Sequence, residues 1–395
     1  MGDVGIVERY IELGLRLGRH VDGFVDAYYG PPEISARVDG EPLTPPAALA
    51  GVAAGLLTDL DAGAEADTVG ADRRHWLRGQ VQGLRTSARK LAGEPIAYLD
   101  EVEWCYGARP ALVPEDDFEA AHRRLDDVLP GTGALRDRII AWREGHAVPP
   151  ATLQNAIDSL AEDLRARTVE AFGLPEGERI DWVLETNKPW SGFNYYEGGL
   201  RSRVAINVDL PVLSLTLAHL VAHEAYPGHH TEHSRKEAGL VRQRRWLEES
   251  IAPVGTPQCT MSEGLADLGL EVVVGRRSEG FPAEHLKPLG VPYDEEVATS
   301  VNQATEALAW VRSNAAILLH EQGTPHDDVV AYLERWALLP NARATKAVSF
   351  LTDPTWRAYS HCYTEGLRLC RAWVDGDPTR FERLVTDQLL PSDLS

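Results

Sequence analysis

Apolar residues recur at intervals of three and four along the first part of the chain. This spacing places them on one face of a helix, and breaks containing proline or glycine separate the segments. The segments with this pattern are residues 4–26, 46–62, 68–92, 114–128 and 150–172. They predict a helical N-terminal lobe over residues 1–175.

The pattern changes near residue 180, where apolar and polar residues alternate. The stretches IDWVLET, beginning at Ile180, and FNYYEGGLRSRVAINV, beginning at Phe193, mix β-branched and aromatic residues with polar ones. Gly198 and Gly199 interrupt the second stretch. Alternation of this kind predicts strands, so we expect a small β-sheet here.

Helical spacing returns after the sheet. Pro211 suits a first helical turn, and LSLTLAHLVAHEAY after it is apolar enough to be buried. Further helices are predicted over residues 260–275, 294–323, 326–338 and 353–374. The expected fold is mainly α, with a small sheet beside the helix that ends near Tyr226. Residues 176–395 then form a second lobe, or one continuous domain with the first.

Charge and cysteine content narrow the possible partners. Acidic residues outnumber basic ones 60 to 39, and the net charge of -21 would repel a phosphate backbone, so nucleic acid is excluded as a partner. The N-terminal sequence has no long apolar stretch, so we predict neither a leader nor a membrane span. The four cysteines are widely scattered and match no disulfide framework. These features favour the cytoplasm.

Histidines crowd into one short stretch of the chain. Five of the 13, namely His219, His223, His229, His230 and His233, lie within AHLVAHEAYPGHHTEH. Buried imidazoles need partners, and one metal ion satisfies several at once. The crowding therefore indicates a metal site. We expect His219 to be a core residue outside this site and His233 to lie at the surface.

His223 and Glu224 open this stretch like the two-histidine zinc motif, but Pro227 stands where the second histidine belongs. In an unbroken helix neither His229 nor His230 could reach the same ion as His223. A proline followed by Gly228 breaks the helix and could return a later histidine to the site. We predict His229 as the second ligand, with His230 as the alternative.

A third ligand is expected from a second helix, because a hydrolytic zinc ion needs three protein ligands and one open position. Glu263 and Asp267 are four residues apart on one helical face with apolar flanks. Burial would make unpaired carboxylates costly there. We therefore predict Glu263 on the metal and Asp267 orienting a ligand histidine through its other nitrogen.

These motifs resemble a known family. HEAYPGHH from His223, followed by the segment from Glu263 to Ala266, is similar to the bacterial family catalogued as domain of unknown function 885, which looks related in fold to carboxypeptidase Taq. The resemblance covers residues 180–375. The family commonly reads EGWA and HHLQ, whereas this chain has Leu265 and the pair Thr231-Glu232 at the differing positions. These departures flank the proposed ligands and bear on substrate preference.

The resemblance implies a gluzincin-like site with His223, His229 or His230, and Glu263 on Zn²⁺ and Glu224 as general base. A carboxylate beside an activated water can take its proton during attack on a carbonyl. The helix near residue 360 offers Tyr363 as a donor to the developing oxyanion. We expect a zinc-dependent metallopeptidase or carboxypeptidase-like amidase that cleaves short peptides or peptide-like amides.

Two other functions fit the same residues. Two histidines and a carboxylate also suit non-haem iron, in which case the protein would catalyse an oxidative or biosynthetic step. Glu224 has a role in hydrolysis and no required role with iron. A purely structural metal is the third hypothesis, although such sites usually have four protein ligands and are rich in cysteine.

Overall fold

The structure, a computed structural model, describes residues 5–65, 68–188, 190–276, 280–354 and 356–394. Helices predominate across these ranges, so the fold is mainly α, as predicted. The helices of the first 175 residues are α1 (Ile6–Gly18), α2 (Pro32–Gly40), α3 (Pro46–Asp61), α4 (Ala71–Leu91), α5 (Tyr98–Tyr106), α6 (Glu115–Val128), α7 (Leu135–Glu144) and α8 (Pro150–Phe172).

Two small sheets accompany the helices. The strands are β1 (Val25–Tyr28), β2 (Arg179–Glu185), β3 (Gly192–Gly198), β4 (Arg201–Asn207) and β5 (Ile251–Pro253). In the predicted sheet β4 is central, parallel to β2 and antiparallel to β3, and β3 packs against the helix that carries His223. The turn between β3 and β4 uses Gly198 and Gly199 at positive φ, which glycine adopts readily.

The second half of the chain returns to helices. They are α9 (Ser214–Glu224), α10 (His229–Lys236), α11 (Pro257–Val274), α12 (Gly280–Leu286), α13 (Glu295–Thr305), α14 (Trp310–His320), α15 (His326–Trp336), α16 (Asn341–Thr352), α17 (His361–Val374) and α18 (Pro378–Thr386). None of the helices in the described ranges combines the length and apolar character that crossing a bilayer requires.

Three helix predictions were wrong in part. The helix predicted over residues 4–26, of which residue 4 lies outside the described ranges, ends at Gly18. The end of this segment forms strand β1 instead, because it pairs with the distant strand β5. The segment 294–323 is divided between α13 and α14. The segment 353–374, in which Thr355 is not described, becomes helical only from His361.

The hydrophobic cores extend across residue 175. One core contains residues from both sides of this position, among them Tyr98, Leu164, Val204 and Cys362. A second core packs residues of α1, α3 and α4 against Ile251. The division into lobes at residue 175 remains a prediction.

Helices α11 and α17 pack unusually closely. A Cβ added to Gly264 would lie 2.4 Å from the backbone carbon and oxygen of Gly366, and one added to Gly366 would lie 2.3 Å from the Thr260 oxygen. Only glycine at both positions permits this contact. It brings the first turns of α17 against the face of α11 that carries Glu263.

Candidate metal centre

The chain breaks between α9 and α10, as the proline and glycine predicted. Helix α9 ends at Glu224, the Tyr226–Pro227 peptide bond is cis, and α10 begins at His229. A Cβ on Gly228 would lie 1.9 Å from the carbonyl oxygen of His223, so the chain can fold back this tightly only with glycine there. The break brings His229 against His223.

Three atoms that could bind a metal converge at this break. His223 Nε2 lies 3.1 Å from His229 Nε2 and 3.3 Å from Glu263 Oε2, and His229 Nε2 lies 3.8 Å from the same oxygen. Ligands of a tetrahedral zinc ion with bonds of about 2.0–2.1 Å are separated by roughly 3.3–3.5 Å. The observed separations bracket this range.

Hydrogen bonds at the far side of each imidazole indicate its tautomer. His223 Nδ1 lies 2.8 Å from Asp267 Oδ1, a carboxylate that can only accept. His229 Nδ1 lies 3.1 Å from Ser262 Oγ, whose own proton goes to Glu232 Oε2 at 2.5 Å. Both Nδ1 atoms therefore donate, so each imidazole in its neutral form presents the lone pair of Nε2 to the centre.

The third atom at the centre is an unsatisfied acceptor. Glu263 is buried, and its Oε2 has no hydrogen-bond partner within the described ranges. Its other oxygen accepts from the Tyr359 hydroxyl at 2.5 Å. Two imidazole nitrogens and a carboxylate oxygen that face one another at these distances are suited to bind one cation. The donor set fits Zn²⁺ or another divalent metal.

The negative charge around His223 is strong. Burial opposes the charged imidazolium, but the hydrogen bond to Asp267 and attraction by the surrounding carboxylates outweigh it and raise the pKa of His223 well above its usual value. The same carboxylates would favour a metal cation at Nε2. For His229, burial and repulsion from His223 outweigh the attraction by nearby carboxylates, so the pKa of His229 is lowered.

His230, the alternative ligand, is not brought to the centre. Its side chain is fully buried, with Nδ1 2.8 Å from Ser202 Oγ and Nε2 2.8 Å from Glu178 Oε2. Burial would raise the pKa of Glu178, but hydrogen bonds from His230, Tyr226 and Arg165 lower it to about 2. His230 therefore joins α10 to strand β4 and to the segment that connects α8 with β2.

Asp267 also approaches His219. His219 Nε2 lies 3.5 Å from Asp267 Oδ1, so His219, His223 and Asp267 form a second group with metal-binding potential. This group would need His223 Nδ1, which already donates to Asp267. The geometry fits Asp267 as the residue that orients His223, with His219 on the open face of α9.

Glu224 sits beside the centre and has a free carboxylate. Its backbone oxygen accepts from Asn194 Nδ2 at 2.6 Å, which ties the end of α9 to β3. Within the described part of the chain its carboxylate has no hydrogen-bond or ion-pair partner, and the side chain is 5% exposed. Burial, with repulsion from Glu263, outweighs attraction by His223 and raises its pKa to about 7.

Two tyrosines of the α17 region line the centre. The Tyr363 ring stacks on His223 at a centroid distance of 6.5 Å, and its side chain is 40% exposed. The Tyr359 ring lies 5.8 Å from that of Tyr363, and its hydroxyl holds Glu263. Tyr363 is thus the tyrosine open to a substrate.

Some residues of the site were not predicted. Ser262 and Glu232 orient His229. The signals in the sequence were the position of Ser262 next to Glu263 and that of Glu232 three residues after His229. Asp26 of β1 interacts electrostatically with Glu263 and Glu224. Nothing in the sequence around residue 26 indicated this, because only the pairing of β1 with β5 brings it to the site.

Comparisons with known proteins give a fold and no family. No family model matches the chain, and no curated protein does. A crystal structure named "putative lipoprotein from Colwellia psychrerythraea" is similar, with a TM-score of 0.53 and 14% identity. The match covers 88% of this chain but only 65% of the neighbour, so the chain spans about two thirds of that protein. This likeness concerns the fold alone.

Proposed function

We propose that the protein is a zinc-dependent hydrolase of the metallopeptidase kind, which cleaves short peptides or peptide-like amides. The supporting observation is that the Nε2 atoms of His223 and His229 converge with Glu263 Oε2, which has no hydrogen-bond partner within the described ranges. The free carboxylate of Glu224 lies beside these atoms. His223, His229 and Glu263 would hold the ion. The resemblance to domain of unknown function 885 points the same way.

A bound zinc ion would supply a Lewis acid that polarises a carbonyl group and a water molecule. The protein supplies the proton transfers. Glu224 accepts the proton of the attacking water and passes it to the leaving nitrogen, a role suited by its pKa of about 7. The hydroxyl of the partly exposed Tyr363 side chain can donate to the oxygen on which negative charge develops.

The ligand set also suits non-haem iron, so an oxidative or biosynthetic step remains the second candidate. The position of Glu224 favours hydrolysis, because a free buried carboxylate beside the ligands has no required role in iron chemistry. We propose the cytoplasm as compartment because all four cysteines are free. The Colwellia protein is called a lipoprotein, and 14% identity does not transfer that word to this chain.

Metal analysis tests the centre. Purified protein is expected to contain near-stoichiometric zinc, and His223→Ala, His229→Ala and Glu263→Ala are expected to lose it. His230→Gln is the matched control, since this adjacent histidine has both nitrogens engaged elsewhere and the variant should keep its zinc. Iron in place of zinc would favour the second candidate, and wild-type protein that binds no divalent metal would refute both.

The chemistry is tested by Glu224→Gln. This variant should retain zinc and lose roughly 100-fold or more in kcat on a dipeptide library, because the amide cannot accept the proton. Full activity of zinc-loaded Glu224→Gln would contradict the proposed mechanism.

A further inference from the structure

The two ligand histidines of the centre are held in different ways. His223 Nδ1 donates directly to a carboxylate oxygen, Asp267 Oδ1, at 2.8 Å. His229 Nδ1 instead meets a hydroxyl, Ser262 Oγ, at 3.1 Å. A carboxylate can only accept a hydrogen bond, whereas a hydroxyl can accept or donate. Ser262 therefore fixes the tautomer of His229 only if another group fixes the direction of the Ser262 proton.

Glu232 and Lys236 supply that direction through two further contacts. Ser262 Oγ donates to Glu232 Oε2 at 2.5 Å, and Lys236 Nζ donates to Glu232 Oε1 at 2.8 Å. Together with the contact between Ser262 and His229, these bonds form one continuous chain that links α10 to α11. An ammonium group has donors and no acceptor, so Lys236 fixes the polarity of the outer end of this chain.

Lys236 and Glu232 form their ion pair inside the protein. Their side chains are 6% and 1% exposed, and they lie four residues apart on α10, the helix that begins at His229. Lysine and glutamate are rarely buried to this extent unless they are paired. A buried pair often adds little to stability, because the loss of hydration offsets the attraction between the charges. The contact of Glu232 with Ser262 indicates a different role for the pair.

We propose that the buried pair of Lys236 and Glu232 sets the direction of the hydrogen bonds at Ser262 and thereby keeps the proton of His229 on Nδ1. The Nε2 lone pair of His229 is then free for the metal. Lys236 and Glu232 are positioning residues, because they act on the ion through Ser262 and His229. This inference rests on the proposed function, since it concerns the metal that the hydrolase would use.

An amide in place of the carboxylate at position 232 should reverse the chain. In Glu232→Gln the amide oxygen must face Lys236, because the ammonium group only donates, so the amide nitrogen must face Ser262. That nitrogen donates to Ser262 Oγ, and the Ser262 proton is left to bond His229 Nδ1. His229 would then carry its own proton on Nε2, where the proton blocks the metal.

Zinc affinity, measured by competition with a chelator, tests this reversal. We expect Glu232→Gln to bind zinc roughly 10- to 100-fold more weakly than wild-type protein. Adding Lys236→Gln should restore the affinity to within about threefold of wild type, because an amide at position 236 can accept and lets the amide at position 232 turn its oxygen to Ser262. A purely structural role of the ion pair predicts the opposite result, a further loss in the double variant.

The tautomer of His229 provides a second readout, which needs no bound metal. Nitrogen NMR of isotope-labelled histidines distinguishes a proton on Nδ1 from one on Nε2, and the His229 signals are those missing from His229→Gln. In metal-free protein we expect the proton on Nδ1 in wild type and in the double variant, and on Nε2 in Glu232→Gln.

Two comparisons separate this effect from a general loss of packing. Glu248 is as deeply buried as Glu232 and pairs with Arg73 at 2.7 Å, but within the described ranges it makes no hydrogen bond to a proposed ligand. Glu248→Gln should therefore keep wild-type zinc affinity. Ser262→Ala cuts the chain, so adding Glu232→Gln to it should change zinc affinity no further. Where the double variant with Lys236→Gln does not fold, as urea denaturation would show, this second comparison decides.

The outcomes distinguish this inference from the proposed function. Wild-type zinc affinity and an Nδ1 proton in Glu232→Gln would overturn the inference and leave the hydrolase intact. Weak zinc binding that Lys236→Gln does not restore, or an equal effect of Glu232→Gln with and without the Ser262 hydroxyl, would also overturn it. If wild-type protein binds no zinc but His229 changes tautomer as expected, the proposed function fails and the role of Lys236 and Glu232 stands.

Discussion

Single hydrogen bonds decide which imidazole atoms face the centre. Asp267→Asn preserves the shape of the side chain but removes the anionic acceptor of His223 Nδ1, found 2.8 Å away. We expect zinc affinity to fall roughly 10- to 100-fold, measured by competition with a chelator. Glu271→Gln, one turn along α11 and paired with Arg276 and Arg371, is the control and should bind zinc normally. Equal affinities would contradict the orienting role of Asp267.

The two tyrosines at the centre are expected to separate binding from catalysis. Tyr359→Phe removes the donor to Glu263 Oε1, so zinc affinity should fall about tenfold. Tyr363→Phe removes the hydroxyl of an exposed side chain that makes no hydrogen bond to a proposed metal ligand within the described ranges. Zinc binding should therefore stay normal while kcat falls roughly 100-fold. Chelator competition and steady-state kinetics on both variants check this. Normal kcat in zinc-loaded Tyr363→Phe would remove Tyr363 from the mechanism.

Among the elements, the contact of α11 with α17 is the most sensitive to side-chain size. In Gly264→Ala the new Cβ would lie 2.4 Å from the Gly366 backbone, so α17 must move, and we expect the free energy of unfolding to fall by about 2 kcal/mol or more. Urea denaturation measures this change. Movement of α17 would also displace Tyr359 from Glu263, so zinc affinity should fall as well.

Gly55→Ala in α3 is the matched control for that substitution. No atom lies within 4 Å of its added Cβ, so alanine should only improve helix propensity and raise stability by about 0.5–1 kcal/mol. Similar effects at the two positions would show that the close contact of α11 and α17 does not limit stability.

Elements fixed by local chemistry were the ones the sequence predicted. The break after Glu224 follows from Pro227 and Gly228. The sheet follows from the alternation of apolar and polar residues over residues 180–186 and 193–208. Strand β1 escaped prediction because its partner β5 lies more than 220 residues away, and helical spacing in the preceding residues masked it. Whether His229 or His230 faces the centre depended on the backbone angles at the break, which spacing alone does not determine.

At the scale of the whole molecule, the centre draws on distant parts of the chain. Helices α9, α10 and α11 supply the predicted ligands, α17 and the turn before it supply the tyrosines, and β1 near the N-terminus carries Asp26, which interacts electrostatically with Glu263. Residues 219–267 could be assigned from sequence because they are close together and chemically unusual. Asp26 could not, since it acquires its surroundings only through the packing of β1.

Buried ionisable groups should give the stability of the whole protein opposing dependences on pH. His361 is buried between Tyr98 and Ser313, and burial with repulsion from His320 lowers its pKa to about 3. The stabilising effect of the neutral imidazole is complete above pH 6.5, the pKa of histidine in the unfolded chain. It is lost as the pH falls below that value, by about 2 kcal/mol at pH 5.

Glu249 behaves in the opposite sense, because burial raises its pKa to about 7. Its contribution is complete below the unfolded value near 4.5 and is lost as pH rises toward 7.

Urea denaturation of His361→Gln and Glu249→Gln between pH 4.5 and 7.5 tests this balance. Stability relative to wild type should rise toward low pH for His361→Gln, because the variant no longer has an imidazole that must stay neutral in the fold. It should rise toward high pH for Glu249→Gln, because the amide does not ionise. Each variant controls for the other, since loss of packing alone would shift stability equally at every pH. Parallel pH profiles for the two variants and wild type would show that neither buried group keeps its shifted pKa.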